Sequence, residues 1–557
     1  MTPDEEQDAT QPNGGTAERA DRPSSPTRQS RVPRPAHMLL AAAFAAAALF
    51  RFPTLNERPL HTDEAVQAVK ASALYDEGDY RYDPREYHGP TLPYLTAAAL
   101  ALAGTEESAA ASVVPYRIVV AVTGALLVLL PLLFLPGLGA RAAAVCAVLA
   151  ALSPAMVYYS RYYIHEMLLV AFTGLALAAG WRYLRRPGTG WAALFGASVG
   201  LMHATKETWV LSAAAAAGAL AVLLVRERRR TRDNRALRGL FSRVRAPHLA
   251  AAGIAAAGVI LLLFSSFGSH WRGVLDSVLT IATYLDRGSG GTVHDHPWHY
   301  YLTLYFLPGT HPGPKWSEAL LLILGTAGGA AAWRPSRLPP SISPELLRFL
   351  TLYTGILIAL YSVIPYKTPW CFLTPLHGLI LLAGAGTLVL LRALPHPALR
   401  ALGALLLVGA VWNLGTQAWA AGFRFPTDRR NPYVYAHTSR DIFTAVKRAE
   451  ELAAIHPDGH DMPIHIVASD YWPLPWYLRT FSRVGYWESA GDWDHTPAPL
   501  VIAGPETQEK VDARLGDGYR PLFAGLRPGV VLSLHVRNDL WQKLQERWAA
   551  TPATDPP

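Results

Sequence analysis

Asp63 and Glu64 form an acidic pair in the stretch RFPTLNERPLHTDEA (residues 51–65), which follows the first apolar run of the chain. Ionisable side chains are costly to place at membrane depth and usually mark a substrate or ion pathway. The pair is therefore our candidate for catalysis at the membrane surface. A structural interpretation stays open, in which Thr62 is the N-cap of an amphipathic helix over 65–75 and the two acids stabilise its first turn.

Further charged residues stand where apolar runs end. In SPAMVYYSRYYIHE (153–166) one helix ends and the next begins around a short turn, which holds Arg161 near Glu166. GASVGLMHATKETW (196–209) has the same form, with small residues that let helices approach closely. Each charged side chain alone could reach the membrane interface from a helix end or belong to a structural ion pair. Several charged side chains on one face favour a shared pocket. The candidate binding residues are Arg161, His165, Glu166, His203, Lys206, Glu207 and Lys367.

The composition is that of a polytopic membrane protein with a sizeable aqueous part, since 51% of the 557 residues are hydrophobic and 17% are charged. The net charge of +8 comes from arginines bunched in short loops, which indicates membrane orientation and not a nucleic-acid partner. Cys146 and Cys371 lie within apolar runs, so a disulfide framework is excluded.

Apolar runs predict roughly eleven membrane spans. The positive-inside rule assigns the arginine-rich loops between them, and the N-terminus, to the cytoplasm. Loops 54–114 and 269–316 and the C-terminus are then outside, and the run 89–104 is a juxtamembrane helix and not a span. The runs lie near 37–53, 115–138, 141–159, 165–182, 191–205, 207–225, 249–268, 317–333, 348–365, 370–392 and 400–421.

Three domains follow from these patterns. Residues 1–36 have almost nothing to bury and are predicted to be a disordered cytoplasmic segment. Residues 37–421 form the transmembrane domain, and the change of composition at 422–557 predicts an extracytoplasmic α/β domain. The predicted elements of that last domain are strands at 464–468 and 500–503 and helices at about 438–454 and 538–549.

The motifs together resemble a known class. An acidic pair after the first span, a span that ends in Ser-Pro and Ser-Arg before an acid, and a Gly-containing turn ending in Thr-Lys are similar to the GT-C membrane glycosyltransferases, of the protein O-mannosyltransferase (glycosyltransferase family 39) and lipid A aminoarabinose transferase type. HDHPWHYYL (294–302) and SDYWPLPWY (469–477) extend the resemblance to a prokaryotic family named for an association with lipid-linked-sugar flippase activity. The general resemblance covers about residues 37–400. His165-Glu166 departs from the pattern, since mannosyltransferases usually have an Asp there.

The resemblance implies a polytopic α-helical GT-C-like fold in the cytoplasmic membrane. It also implies an inverting transfer of a sugar from a polyprenyl-phosphate donor to an envelope acceptor, which is a protein, a lipid or a glycan. Because a phosphate leaves without needing a proton, one base and some cations suffice, unlike in a glycosidase. By resemblance, Asp63 deprotonates the acceptor hydroxyl, and Glu64 orients the acceptor or Asp63. Arg161 and Lys206, with Lys367 as a further candidate, neutralise the donor phosphate.

A divalent metal is a further alternative, with His294, Asp295 and His296 as candidate ligands, although their spacing matches no zinc pattern. The other interpretation is a loop whose histidines bind backbone or acceptor. The aromatic residues beside them, Trp298, Tyr300 and Tyr301, suit either sugar stacking or an interfacial belt.

Two other functions stay open. The chain could be a non-catalytic accessory protein of lipid-linked sugar flipping or a transporter, or an inactive relative whose external domain binds a partner in envelope assembly. A transporter needs a route to the inner face, and the predicted spans hold no charged residues deep inside to line one. The pattern therefore favours the enzyme.

Overall fold

The structure is a computed structural model. The predicted disordered segment 1–36 lies outside the described residues up to position 33, whereas residues 34–36 already belong to the first helix. The described residues are 34–78, 80–84, 88–233, 238–239, 242–288, 290–291, 294–307, 315–494 and 496–550, without the side chains of 284–288.

All the predicted apolar runs are helical. By length and composition, seven apolar stretches in the described part of the chain could cross a membrane, against roughly eleven predicted spans. One of them, Val114–Leu152, covers the predicted run 115–138 and most of the run 141–159, whereas the helix of the run 317–333 is shorter. Gly139 breaks that stretch with a φ of 71°, in the left-handed region that favours glycine. The helices of this part are α1 (Arg34–Arg51), α2 (Thr62–Glu77), α3 (Thr91–Leu102), α4 (Val114–Leu127), α5 (Leu135–Leu152), α6 (Pro154–Tyr159), α7 (Glu166–Arg185), α8 (Thr189–His203), α9 (Trp209–Thr231), α10 (Ala246–Phe264), α11 (Arg272–Gly288), α12 (Tyr300–Phe306), α13 (Ala319–Ala331), α14 (Pro344–Val363), α15 (Leu373–Ala393) and α16 (Pro397–Trp419).

The two ends of the helix bundle differ in chemistry. At one end the arginine-rich loops contact each other, with the Arg226 guanidinium 4.2 Å from the ring centroid of Trp333 and the Tyr183 hydroxyl donating to the carbonyl of Arg243 at 2.9 Å. At the other end lie α2, α3 and the turn after α8, where the Thr91 N–H donates to the carbonyl of Ala204 at 3.0 Å. This separation agrees with the grouping of loops that the arginine pattern predicts.

The helix α3 is too short to span a bilayer. Its 12 residues extend about 18 Å, against a hydrocarbon core of about 30 Å. Leu92 and Leu100 of α3 share a buried cluster with Ala65 and Ala68 of α2. The run 89–104 therefore forms a short helix packed on α2, and its position at the membrane interface stays a prediction.

The C-terminal part forms a separate core around a five-stranded sheet with the order β2-β1-β3-β5-β4. β1 is parallel to β2 and β3, and the other pairs are antiparallel. The predicted strands at 464–468 and 500–503 and both predicted helices are present. The elements are α17 (Ile442–Ala453), β1 (Ile464–Val467), α18 (Leu474–Tyr477), β2 (Val484–Trp487), β3 (Leu500–Ala503), α19 (Gln508–Leu515), β4 (Tyr519–Arg527), β5 (Val530–Arg537) and α20 (Asn538–Ala550).

The sheet domain contacts the loop that precedes α2. The Leu60 N–H donates to the Tyr477 hydroxyl at 2.8 Å, and the Thr438 hydroxyl donates to the Leu60 carbonyl at 2.7 Å. Trp476 belongs to the same buried cluster as Leu60 and Ala65. The domain therefore packs at the bundle end that carries the acidic pair.

Candidate active site

A cavity of about 460 Å³ lies beside the start of α2. Five predicted site residues line it, namely Asp63, His165, Glu166, Lys206 and Glu207. They come from three separate turns of the chain, and the volume falls within the usual range for ligand pockets. The remaining walls are Val66, Gln67, His88, Ile164, Thr208, Val210, Leu211, Ile281, Tyr361, Ile364, Tyr366, Thr368, Trp370 and Cys371.

Asp63 presents a free carboxylate to this cavity. Its side chain is 49% exposed, and among the described residues no donor forms a hydrogen bond with it. Its backbone N–H donates to Nδ1 of His61 at 3.0 Å, and Nε2 of His61 lies 3.1 Å from the carbonyl of Tyr435. These contacts assign the proton of His61 to Nε2, so the 3.9 Å approach of Nδ1 to the Asp63 carboxylate is not an ion pair. Burial also lowers the pKa of His61, which keeps the ring neutral.

Glu64 points away from the cavity into a buried network. One carboxylate oxygen accepts from the Arg58 guanidinium, from Nε of Arg117 and from the N–H of Tyr163, all at 2.8–2.9 Å. The other accepts from Nη2 of Arg117 at 2.9 Å and from the N–H of His61 at 3.0 Å. Burial opposes ionisation, but the charges of Arg117 and Arg58 lower the pKa of Glu64 to about 2. The carboxylate therefore stays ionised and ties α2 to α4 and to the turn before α7.

The start of α2 combines both sequence interpretations. Glu64 completes a capping box. In it, the His61 side chain accepts from the backbone N–H of Asp63, and the Glu64 side chain accepts from the backbone N–H of His61. The N-cap is His61 and not Thr62 as the sequence interpretation proposed, because the helix already begins at Thr62. The structural interpretation thus applies to Glu64, and Asp63 stays the candidate for catalysis.

The other charged groups in the cavity are paired. Nζ of Lys206 donates to the Glu166 carboxylate, and Nδ1 of His88 lies 2.8 Å from the Glu207 carboxylate. The His165 ring packs against His88 with the ring centroids 5.2 Å apart, and its Nε2 is 3.1 Å from the carbonyl of Gly89. Among the described residues that line the cavity, Lys206 is the one lysine or arginine.

His88 is a cavity residue that the sequence interpretation missed. It is positioned by Gly89, whose N–H donates to the carbonyl of Thr205 at 3.1 Å. A Cβ at Gly89 would overlap the carbonyl of Ala204, so glycine is required for this close approach. In the sequence, the Gly89-Pro90 step directly after His88 could have indicated this position, because such a step marks a turn. Gln67, Tyr366 and Trp370 also line the cavity and carried no comparable signal.

Three candidate binding residues lie outside the cavity. Arg161 donates to the carbonyls of Arg51 and Pro53 at 3.1 and 2.6 Å, so it does not pair with Glu166. Nε2 of His203 lies 3.1 Å from the Ser277 hydroxyl. Lys367 donates to the carbonyls of Ile364 and, at 3.0 Å, of His296. The side chain of each makes structural contacts away from the cavity.

The residues 294–296 do not fit a metal site. Nδ1 of His294 lies 2.7 Å from the Tyr435 hydroxyl, Asp295 accepts from the N–H of Gly291 at 2.6 Å, and the His296 ring stacks on Tyr300 at 4.2 Å. In the described part of the chain, no three His, Cys, Asp or Glu side chains are grouped to hold a metal ion. The neighbouring Trp298 is exposed, whereas Tyr301 is buried against Phe372.

Comparison with known proteins supports the GT-C assignment. The family model of dolichyl-phosphate-mannose-protein mannosyltransferases matches residues 44–247. No curated protein matches in sequence. Together with the solved structures below, the family match confirms the resemblance to GT-C membrane glycosyltransferases that the motifs indicated.

Three solved structures share the fold over most of the chain. ArnT from Cupriavidus metallidurans bound to undecaprenyl phosphate has 17% identity and a TM-score of 0.56, over 89% of this chain and 97% of that one. The same protein in the apo state has 17% identity and a TM-score of 0.57, over 90% and 98%. The archaeal oligosaccharyltransferase AglB from Archaeoglobus fulgidus, with an inhibitory peptide and a dolichol-phosphate, has 12% identity and a TM-score of 0.52, over 91% and 77%. The fold is therefore GT-C with a C-terminal sheet domain, in a multi-pass membrane protein.

Proposed function

We propose that this GT-C-fold membrane protein is an inverting glycosyltransferase that moves a sugar from a polyprenyl-phosphate donor to an envelope acceptor. The observation that carries the proposal is the meeting of a free carboxylate, Asp63, and a cation, Lys206, in one cavity. We place this cavity on the outer face of the cytoplasmic membrane, because the arginine-rich loops lie at the opposite end of the bundle. The N-terminus is then cytoplasmic, and the sheet domain is extracytoplasmic.

The donor would lie along the side of the cavity that Lys206 lines. Val210 and Leu211 of α9 and Tyr361 of α14 continue this wall as an apolar surface, which suits the first isoprene units of a polyprenyl chain. Undecaprenyl phosphate in ArnT and dolichol-phosphate in AglB support a lipid phosphate as the ligand. Lys206 would neutralise the charge that grows on the departing phosphate, and Glu166 would hold the ammonium in place.

Asp63 would act as the general base. The acceptor hydroxyl loses its proton to the Asp63 carboxylate while its oxygen forms a bond to the anomeric carbon. The bond from that carbon to the phosphate oxygen breaks on the opposite side, and its electron pair leaves with the phosphate. Glu64 does not touch the substrate in this mechanism, because its oxygens are occupied by Arg58 and Arg117.

The acceptor would reach Asp63 from the side of the sheet domain. Leu60 and His61, immediately before the acidic pair, contact Tyr477, Thr438 and Tyr435. Half of the Asp63 side chain remains exposed beside these contacts. This arrangement supports an acceptor that is bound partly by the sheet domain.

The direct test uses the purified full-length chain. It is incubated with radiolabelled polyprenyl-phosphate sugars and an envelope fraction that supplies protein, lipid and glycan acceptors. Transfer of label with inverted anomeric configuration supports the proposal. Binding of the lipid donor without transfer to any acceptor would contradict it and favour a role as an accessory protein of sugar flipping.

Lys206→Gln should lower turnover about 100-fold, because removal of one group that stabilises transition-state charge typically costs that much. Most of the loss should appear in kcat, since the charge grows as the phosphate departs. Steady-state kinetics over a range of donor concentrations would measure it.

The matched control is Lys510→Gln, which removes an exposed lysine of α19 in the sheet domain. It should turn over like the parent protein. Parent-like kcat in the Lys206 variant would remove this residue from the proposed site.

A further inference from the structure

Arg161, which the sequence interpretation assigned to the donor phosphate, instead lines a second, smaller cavity of about 30 Å³. We call this cavity the arginine pit. It shares no lining residue with the candidate active site, because the turn 160–165 and the buried Glu64 network lie between them. Its lining residues are Thr54, Leu55, Glu57, Arg58, Pro59, Arg117, Arg161, Gly422, Phe423, Pro426, Thr427 and Arg440.

The arginine pit carries an excess of positive charge. Arg58 and Arg117 share one carboxylate, that of Glu64. Arg161 donates to the carbonyls of Arg51, Pro53 and Thr54 and to the Thr54 hydroxyl, none of which is charged. Among the described residues that line the pit, Glu57 is the one carboxylate and Arg440 is a fourth arginine.

Against the effect of burial, the charge of Glu64 raises the pKa of Arg58, and the Arg161 guanidinium lies 4.4 Å from the ring centroid of Phe423. Two observations show that compensation is nevertheless incomplete. Nη1 of Arg58 is buried without a hydrogen-bond partner among the described residues. Burial, together with the charges of Arg58 and Arg117, lowers the pKa of Arg161 to about 9. An anion in the pit would relieve both costs, because a buried guanidinium is stabilised by a charged acceptor.

The position of the pit points to a lipid. It opens between the loop that follows α1 and the residues that follow α16, and its rim includes the exposed Glu57 and Arg440. Both helices carry exposed apolar side chains, such as Leu49 on α1 and Leu405 on α16, which in a membrane protein contact lipid. Trp419, exposed at the end of α16, is typical of the headgroup level. The pit therefore opens at the depth of lipid phosphates.

The size of the pit limits what can enter. A volume of 30 Å³ holds about two water molecules, so it accommodates the two non-bridging oxygen atoms of a phosphodiester and not a sugar. The rest of a ligand must remain outside, as the glycerol and acyl chains of a phospholipid would.

We propose that the arginine pit binds the phosphate oxyanion of an anionic phospholipid headgroup. This site is separate from the donor site, and it does not depend on the proposed glycosyl transfer. The bound lipid would seal the outer ends of α1 and α16 against the loop that carries the acidic pair.

The test measures binding of phosphatidylglycerol to the detergent-purified full chain by native mass spectrometry, with phosphatidylcholine as the neutral lipid. Arg440→Gln should weaken binding about fivefold, since one arginine near a lipid surface contributes about 1 kcal/mol. Glu57→Gln should strengthen it, because the variant removes the carboxylate that competes with the phosphate. Arg429→Gln is the matched control, since this arginine is also exposed at the same bundle end but does not line the pit.

Opposite shifts in the Arg440 and Glu57 variants, with parent-like binding in the control, would support the proposal. Equal effects in the Arg440 and Arg429 variants, or no effect in either, would overturn it in favour of general surface attraction. In a second arm, inorganic phosphate competes with the lipid. Strong competition, with no preference for phosphatidylglycerol over phosphatidylcholine, would show a soluble-anion site and overturn the assignment to a lipid.

Discussion

Asp63→Asn should abolish sugar transfer while the protein still inserts, purifies and unfolds like the parent. The asparagine keeps the size of the side chain and the backbone N–H bond to His61, but it cannot accept the acceptor proton. Loss of a general base costs roughly 10²–10⁴-fold in rate. Because no donor in the described structure pairs with this carboxylate, stability should change little. Turnover of the labelled donor and the thermal unfolding midpoint in detergent are the two measurements.

Glu77→Gln provides the matched control for this experiment. Glu77 lies at the other end of the same helix and is exposed, so its variant should keep full turnover. Asp63→Glu retains a base at a shifted position and should recover part of the activity. Parent-like turnover in Asp63→Asn would exclude the proposed base.

Glu64→Gln should differ from Asp63→Asn by a large loss of stability. The amide cannot compensate the charges of Arg58 and Arg117, which are both buried with it. Breaking a buried ion pair by removing one partner costs about 3–5 kcal/mol. The thermal unfolding midpoint in detergent should therefore fall strongly. Turnover should also fall, because the helix cap that holds Asp63 is weakened.

The comparison of the Asp63 and Glu64 variants makes this second prediction specific. Asp63→Asn and Glu64→Gln each replace one carboxylate by its amide, one residue apart on the same helix. If Glu64→Gln unfolded like the parent and still lost turnover, Glu64 would have to contact substrate. The buried network described above would then not be its main role.

The sequence predicted the architecture well because membrane spans and arginine-rich loops carry strong signals. Long apolar runs become helices wherever backbone groups cannot bond to water, and all the predicted runs did so. Two strands and two helices of the sheet domain were also predicted. The two strands, Ile464–Val467 and Leu500–Ala503, are fully buried and, apart from His465, apolar. The remaining strands, such as Tyr519–Arg527, mix polar and apolar residues and gave no clear alternation.

The site was predicted in part, because the sequence indicates which charged residues lie near helix ends but not where their side chains point. Proximity to a bundle end could be inferred for Asp63, Lys206 and Arg161 alike, but the direction of each side chain depends on the local backbone and on the groups packed around it. Arg161 turns toward the loop after α1, and Lys206 turns into the cavity. The roles of the acidic pair separated only in three dimensions, because two adjacent helical residues point about 100° apart.

The contact of Gly89 with the turn after α8 couples two parts of the molecule. Backbone hydrogen bonds join Gly89 and Thr91 to Thr205 and Ala204, and the two backbone segments are in direct contact. The segment with His88 is therefore held directly against the turn with Lys206. Two walls of the cavity that are far apart in sequence thus share one backbone junction, and a change that separates them would break these hydrogen bonds.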